Sequence, residues 1–364
     1  MKKILILVNH SITVYNFRYE LVERFRDDGY EVYISSPNGE KIKCFTDMGC
    51  NFIETAVSRH GTNPIADAKL CFNYLRLMKT VKPDVVLSYT IKPNIYGGLA
   101  AAICKIPFMP NVTGLGIALK NDGAVQRLVK MLYKAALKKV TCVFFENNEN
   151  ELFFRDNGLF DGYSRVLPGA GVNLEKFIPT EYPDTREVNF VFISRVMRDK
   201  GINEYLECAR QIKAVHRNVN FHIYGFCEDD WERRLKDYAD CVEYHGWIDD
   251  TRGVLEGCSA IIHPSYHEGM SNVLLEASAC ARPCICSDIA GCREIVDDGK
   301  SGFLFKAADV QSMICAVEKF LALTNEQRRL MGLYAAAKVA KEFDRQLVVR
   351  AYIEEINKIT KEHC

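Results

Sequence analysis

Short runs of apolar, β-favouring residues recur along the chain, each separated from the next by a segment of helical periodicity. In the first half they are Ile4–Val8, Glu31–Ser35, Phe52–Val57, Asp84–Tyr89, Phe108–Val112 and Cys142–Phe145. Strands alternating with helices predict parallel βαβ units. The cycle resumes after residues 168–183, which hold Pro168-Gly-Ala-Gly171, Pro179 and Pro183, with strands expected at Asn189–Ser194, Asn220–Tyr224, Val242–His245, Ala260–Pro264 and Cys284–Asp288. The pattern therefore predicts an α/β protein of two doubly wound domains, residues 1–172 and 173–345, with a hinge in the Pro- and Gly-rich stretch. Residues 346–364 read as a last helix packing back on the first domain. Ligands in such sheets lie beyond the carboxyl ends of the strands, so two facing domains are expected to form one cleft.

Composition narrows the picture. With 364 residues, 47 basic and 47 acidic side chains, the formal net charge is zero, which gives no global field for nucleic acid. The 15 cysteines are scattered through apolar segments without a CxxC, which fits reduced thiols. The opening Met-Lys-Lys precedes an apolar stretch too short for a secretory signal, and no apolar run reaches the ~20 residues of a membrane span. A cytoplasmic protein is expected, with any membrane contact peripheral.

The segment richest in chemistry is His263-Pro-Ser-Tyr-His-Glu268-Gly-Met-Ser-Asn-Val-Leu-Leu-Glu276, a strand end, a polar loop and a helix start near Ser271. Backbone N–H groups at Gly269, Met270, Ser271 and Asn272 would form an anion seat suited to a diphosphate. Glu276, inside the helix, is placed to accept ribose hydroxyls, and Glu268, before it, lies nearer a transferred sugar. After the first strand of the second half come Arg195, Arg198 and Lys200, the last before Gly201. Arg195 and Lys200 suit neutralisation of a leaving nucleoside diphosphate in place of a metal ion. Taken singly, these are also an ordinary loop acid, a surface helix acid and a solvated basic loop.

Taken together, these segments resemble the retaining GT-B glycosyltransferases of family 4, and the resemblance covers nearly the whole chain. Glu268 and Glu276, with seven residues between them, match the family's paired glutamates. Arg195 and Lys200 match its diphosphate clamp, and Gly291-Cys-Arg-Glu-Ile-Val-Asp-Asp-Gly-Lys-Ser-Gly-Phe-Leu304 its late segment. The resemblance implies two facing Rossmann-like domains and transfer of a sugar from a nucleotide diphosphate, here UDP, with no cofactor and no metal. It further implies that Gly246 and Trp247 hold the base, and that front-face attack retains the anomeric configuration.

Leu87-Ser-Tyr-Thr-Ile-Lys92-Pro-Asn94 and Asn111-Val-Thr113-Gly114-Leu-Gly116 resemble bacterial polysaccharide transferases that use N-acetylhexosamines, which implies a lipid-diphosphate-linked saccharide as acceptor. Where many members carry a glycine-rich loop after the first strand, this chain has Asn9-His10-Ser11-Ile-Thr13-Val-Tyr15-Asn16, and where many place a histidine it has Thr113-Gly114-Leu-Gly116. His10, Thr13, Tyr15, Asn16, Lys92, Asn94 and Thr113 are accordingly expected to contact acceptor. From 123 to 140, Val125, Leu128, Val129, Leu132, Ala136 and Val140 read as one helical stripe and Arg127, Lys130, Lys134 and Lys138 as another. The basic stripe is either a solvated face or a contact with anionic lipid on the inner face of the membrane. A GT-B sugar-nucleotide epimerase and a non-catalytic nucleotide-sugar-binding protein remain open as alternatives, whereas neither half has the GxGxxG of a dinucleotide-binding enzyme.

Overall fold

The computed structural model of the chain describes residues 2–58, 63–116, 119 and 123–361. The chain divides into two compact units, the first running to Ala170 and resuming at Gln346, the second spanning Gly171–Arg345. The first crossing lies within the stretch read as punctuation, two residues before the boundary expected at 172.

In unit 1 the strands are β1 (Lys3–Leu7), β2 (Glu31–Ser36), β3 (Asn51–Glu54), β4 (Val85–Tyr89), β5 (Phe108–Val112), β6 (Val143–Phe145) and β7 (Ser164–Val166). They form a seven-stranded sheet in the order β3-β2-β1-β4-β5-β6-β7, parallel throughout. Its helices are α1 (Ser11–Asp27), α2 (Ile42–Asp47), α3 (Pro64–Val81), α4 (Ile91–Cys104), α5 (Ala124–Ala136) and α6 (Asn148–Asp156). Unit 2 holds β8 (Val188–Ile193), β9 (Val219–Tyr224), β10 (Glu243–Tyr244), β11 (Ala260–His263), β12 (Cys284–Ser287) and β13 (Gly302–Phe305) in the order β10-β9-β8-β11-β12-β13, again all parallel. Between and after these strands lie α7 (Ile202–Val215), α8 (Trp231–Leu235), α9 (Arg252–Gly257), α10 (Asn272–Ala279), α11 (Val310–Leu321) and α12 (Asn325–Glu342). The last described helix is α13 (Arg345–Lys361).

Both sheets are wound outward from their first strand in two directions. The winding reverses between β1 and β4 in unit 1 and between β8 and β11 in unit 2, which leaves a crevice at the carboxyl ends of those pairs. Strands β7 and β13 were not expected: the first is a three-residue Ser-Arg-Val, and the second opens on a glycine. A side chain at Gly302 would meet the Cys284 carbonyl oxygen at 1.8 Å, so glycine is what lets β13 approach β12. Strands β3 and β10 are shorter than the apolar runs that announced them, because each is a sheet edge paired on one side only.

Residue parity sorts unit 1's core. Ile4 and Ile6 of β1 and Leu87 of β4 face Val14, Leu21 and Phe25 of α1 together with Val348, Tyr352 and Ile356 of α13. Leu5, Leu7 and Val86 face Leu70, Tyr74 and Met78 of α3. The last helix therefore belongs to unit 1, where the Tyr352 ring lies 4.2 Å from that of Phe144 and its hydroxyl accepts from Asn111 Nδ2 at 3.0 Å. In unit 2 the entering and leaving segments are stitched together. Val172 N–H donates to Phe343 O at 2.9 Å, Arg345 N–H donates to Val172 O at 3.0 Å, and a side chain at Gly171 would meet Arg345 Cα at 2.6 Å. Every described cysteine is a free thiol. No helix among the described residues is long and apolar enough to cross a membrane.

Tyr352 is fully buried, so Tyr352→Ala should destabilise the protein by about 3–5 kcal/mol, and Tyr352→Phe by about 1 kcal/mol for the hydroxyl's hydrogen bond. Urea unfolding of the two variants checks this, and equal losses would contradict the packing role.

Candidate active site

The crevice of unit 2 is assembled from two loops that meet because β8 and β11 are neighbours. Leaving β8, the chain makes a 3-10 turn at Arg198–Lys200 and then places Gly201 at φ 73°. A side chain there would come within 2.1 Å of the Pro264 carbonyl oxygen, so glycine alone lets this loop press against the one leaving β11. That contact delivers Lys200 Nζ to Glu268 Oε1 at 2.6 Å. His263, the buried last residue of β11, brings Nε2 to the same oxygen at 2.9 Å and to Ser271 Oγ at 3.2 Å. Burial pushes the Glu268 carboxyl up, but the adjacent Lys200 ammonium and the His263 imidazole outweigh this and hold it well below the usual carboxylate range.

Gly291, the first residue of the late segment, rests on the glutamate loop. A side chain on it would meet Gly269 O at 2.5 Å, and its own carbonyl accepts from Ser271 N–H at 2.9 Å. Of the four amides expected to form an anion seat, that of Ser271 is thus already engaged. Ser271 flanks α10 without capping it, its hydroxyl being turned to His263. Met270 is buried and packs in the core of unit 2, while Asn272 opens the helix with its Oδ1 buried and without a hydrogen-bond partner.

Glu276 is half-buried on α10 and accepts from Thr251 Oγ1 at 2.9 Å. Burial pushes its carboxyl up, offset in part by Thr251 and by the positive charge of Lys176, so as a carboxylate it is short of donors. Arg195 is outside the Lys200 cluster and pairs with Glu228 at 2.5 Å, half exposed. Gly246 accepts from Gly225 N–H at 2.8 Å, and Trp247 stands 61% exposed with Nε1 donating to Asp249 at 3.2 Å. His263 and Thr251 were not expected as site residues. The first was visible as the residue closing a strand just ahead of Glu268, and the second carried no signal.

In unit 1 the segment after β1 is helix from Ser11 onward, not a loop. His10 is the N-cap of α1, its Nδ1 accepting from Ile12 N–H at 3.2 Å. Thr13 and Thr113 are half-buried and Asn16 is exposed. Packing corrects one acceptor expectation, that for Asn94, and engages two other residues, Tyr15 and Lys92. Tyr15 stacks edge-on with Tyr19 and Phe45, its ring under Lys41. Lys92 is paired with Asp67 at 2.8 Å. Asn94 is fully buried, accepting from Ser88 Oγ and donating to Asn111 O, each at 2.8 Å, which ties α4 to β4 and β5.

Two other residues mark the carboxyl side of this sheet. Glu146, following β6, is buried against Arg18 Nη2 at 2.9 Å, and burial pushes its carboxyl up despite that partner. Thr90, following β4 at the point where the winding reverses, has φ 73° and ψ 162°, and its Oγ1 is buried without a partner. That backbone region belongs almost solely to glycine.

Helix α5 also differs from expectation. Gln126, Val129, Tyr133 and Ala136 are its buried face, with Val129 and Tyr133 packed in the core and the Gln126 amide donating to Leu119 O at 2.8 Å, and Val125, Leu128 and Met131 are exposed. Lys130 is tied to Asn157 at 2.8 Å, and Lys138 lies past the helix end in a 3-10 turn, so the basic stripe is interrupted, leaving Arg127 and Lys134 on the helix surface.

Replacing Thr90 by glycine should relieve backbone strain of about 1–3 kcal/mol, less the ~1 kcal/mol entropic cost of glycine. The expected outcome is a melting temperature raised by a few degrees in calorimetry; a lowered one would show that the hydroxyl is structurally required.

Residues 3–147 match the glycosyl transferase 4-like family model, and residues 187–322 the model of glycosyl transferases group 1. The chain is 27% identical to the N,N'-diacetylbacillosaminyl-diphospho-undecaprenol alpha-1,3-N-acetylgalactosaminyltransferase of Campylobacter jejuni, over 98% of both chains. It is also 27% identical to the UDP-Gal:alpha-D-GlcNAc-diphosphoundecaprenol alpha-1,3-galactosyltransferase of Escherichia coli, over 70% of each. Among solved structures, Anabaena HepE in complex with UDP superposes with a TM-score of 0.82 at 15% identity, over 98% of this chain and 100% of that one. With one model on each doubly wound unit, and Lys200, Glu268 and Gly291 meeting in one crevice, the chain belongs to the GT-B glycosyltransferases of group 1 and the family 4-like type.

Proposed function

We propose that this enzyme moves a hexose or N-acetylhexosamine from a UDP-sugar, with retention and without a metal ion, to a lipid-diphosphate-linked saccharide in surface polysaccharide synthesis. The observation that carries the reading is the meeting of Lys200, His263 and Glu268 at the winding reversal of unit 2. The names of the relatives support the acceptor class, since both act on diphospho-undecaprenol saccharides, and UDP is named for one relative and bound in one structural neighbour.

In this reading the diphosphate lies over the start of α10 and draws on Lys200 and Arg195, the latter released from its exposed pairing with Glu228. Glu276 accepts the ribose hydroxyls, which supply the donors that its carboxylate lacks. Glu268 holds the sugar. The bond from the anomeric carbon to the phosphate oxygen breaks as the acceptor oxygen attacks from the same face, and the acceptor proton passes to the departing diphosphate. Unit 1 binds acceptor around His10, Thr90 and Thr113. The exposed Val125, Leu128 and Met131 of α5, flanked by Arg127 and Lys134, seat the enzyme on the inner face of the cell membrane.

Transfer from UDP-sugars to lipid-diphosphate saccharide, read by product NMR, is expected to keep the donor's anomeric configuration and to persist in EDTA. An inverted product, or activity abolished by EDTA and restored by magnesium, would overturn the reading. Lys200→Ala should lower turnover by about 10²-fold or more, whereas Glu276→Ala should raise the UDP dissociation constant about tenfold, measured calorimetrically. Leu128→Ser with Met131→Ser, or glutamine at Arg127 and Lys134, should reduce binding to anionic liposomes while leaving UDP affinity intact; unchanged liposome binding would remove α5 from the membrane contact.

A further inference from the structure

The edge of the unit 2 sheet carries a second cluster of ligating side chains that the transfer reaction does not use. Strand β10 pairs with β9 through only Glu243 opposite His222 and Tyr244 opposite Ile223. Because side chains alternate along a strand, Glu243 and His245 share a face, and the register puts His222 on that face directly across from Glu243. The outcome is three donor atoms at one point: His222 Nδ1 to His245 Nε2 is 3.1 Å, His222 Nδ1 to Glu243 Oε2 is 3.5 Å, and His245 Nε2 to Glu243 Oε2 is 3.8 Å. Donors about 2.0–2.2 Å from a tetrahedral zinc ion lie roughly 3.3 Å from one another, and the three separations bracket that figure.

We propose that His222, Glu243 and His245 bind one zinc ion, with water at the remaining solvent-facing position. Two neutral imidazoles and a carboxylate are a ligand set that favours zinc over magnesium or calcium. The rings are already restrained, since His245 is stacked on Tyr224 at 4.4 Å with an interplanar angle of 9°. Among the described residues this is the one group of three ligating side chains whose donor atoms converge closely enough to hold an ion. Its role is to staple a two-residue edge strand whose own backbone pairing is slight. His245 leads directly into Gly246 and Trp247, so the staple also fixes the start of that exposed loop. None of the three ligands is hydrogen-bonded to Lys200 or Glu268, and the role assigned to the ion is structural.

The test uses the full chain stripped of metal and titrated with Zn²⁺ by calorimetry, then with Co²⁺ by visible spectroscopy. One equivalent should bind, with ligand-field bands of four-coordinate cobalt, and a hundredfold excess of Zn²⁺ over its dissociation constant should raise the melting temperature by roughly 5–10 °C. His245→Asn and Glu243→Gln should each weaken zinc binding by at least about 10-fold and cut the thermal shift at the same Zn²⁺ concentration by about half or more. Glu243 is largely exposed, so Glu243→Gln keeps the test decisive if the histidine variant does not fold. Unaltered affinity in Glu243→Gln, no ligand-field band, or a sulfur-to-cobalt charge-transfer band assigning the ion to thiols would each overturn the proposal.

Discussion

Removing the carboxylate of Glu268 from water costs several kcal/mol unless cations and hydrogen-bond donors replace the lost hydration. Lys200 and His263 replace it, and they arrive from different strands: the lysine from the loop after β8, the histidine from the last position of β11. They converge only because β8 and β11 are adjacent, which is where the winding of the sheet reverses. Two glycines then set the fit, one pressed against Pro264 O and the other against Gly269 O. The ion cluster thus depends on topology for its neighbours and on missing side chains for its distances. Removing either partner would leave a buried charge uncompensated, a larger loss than the pair's own net contribution.

Unit 1 has the same winding but uses its crevice differently. Its buried ion pair, Arg18 with Glu146, lies against Tyr89, with the guanidinium 4.6 Å from that ring's centre. What it offers at the reversal point is strain: Thr90 is held in a glycine-like conformation with an unsatisfied hydroxyl. Strain of this kind persists where surrounding packing over-determines it, and Asn94, locked between β4 and β5, is part of that packing through its N–H to the Thr90 carbonyl.

The alternation of strand and helix was readable because a buried parallel strand is apolar over several residues, and it failed where that condition fails, at Ser164–Val166 and at the glycine-led β13. That Lys200 and Glu268 share one crevice could be anticipated from their positions just after neighbouring strands. Polar residues after strands in unit 1 were harder to assign, since capping, pairing and core hydrogen bonding demand the same side chains as ligand contact. Asn94 and Lys92 went to the scaffold. Helix α5 shows the limit of hydrophobic patterning most plainly. Its inward face carries Val129 and Tyr133 in the core together with the Gln126 amide on the Leu119 carbonyl, and Val125 and Leu128 are left exposed although both are apolar. Thr90 offered nothing to read, because a dihedral angle imposed by tertiary packing leaves no trace in the residue type.

Helix α13 has a further consequence, for the order in which the protein is built. Residues emerge from the ribosome in sequence, and domains tend to fold as they emerge. Yet the face of unit 1 that covers Arg18, Tyr89 and Phe144 is closed by Tyr352, which is made after every residue of unit 2. Unit 1 is therefore begun before unit 2 and completed only after all of unit 2 has been synthesised. Until then its ion pair and apolar face lie open to water and to other nascent chains, an interval in which a chaperone has something to hold.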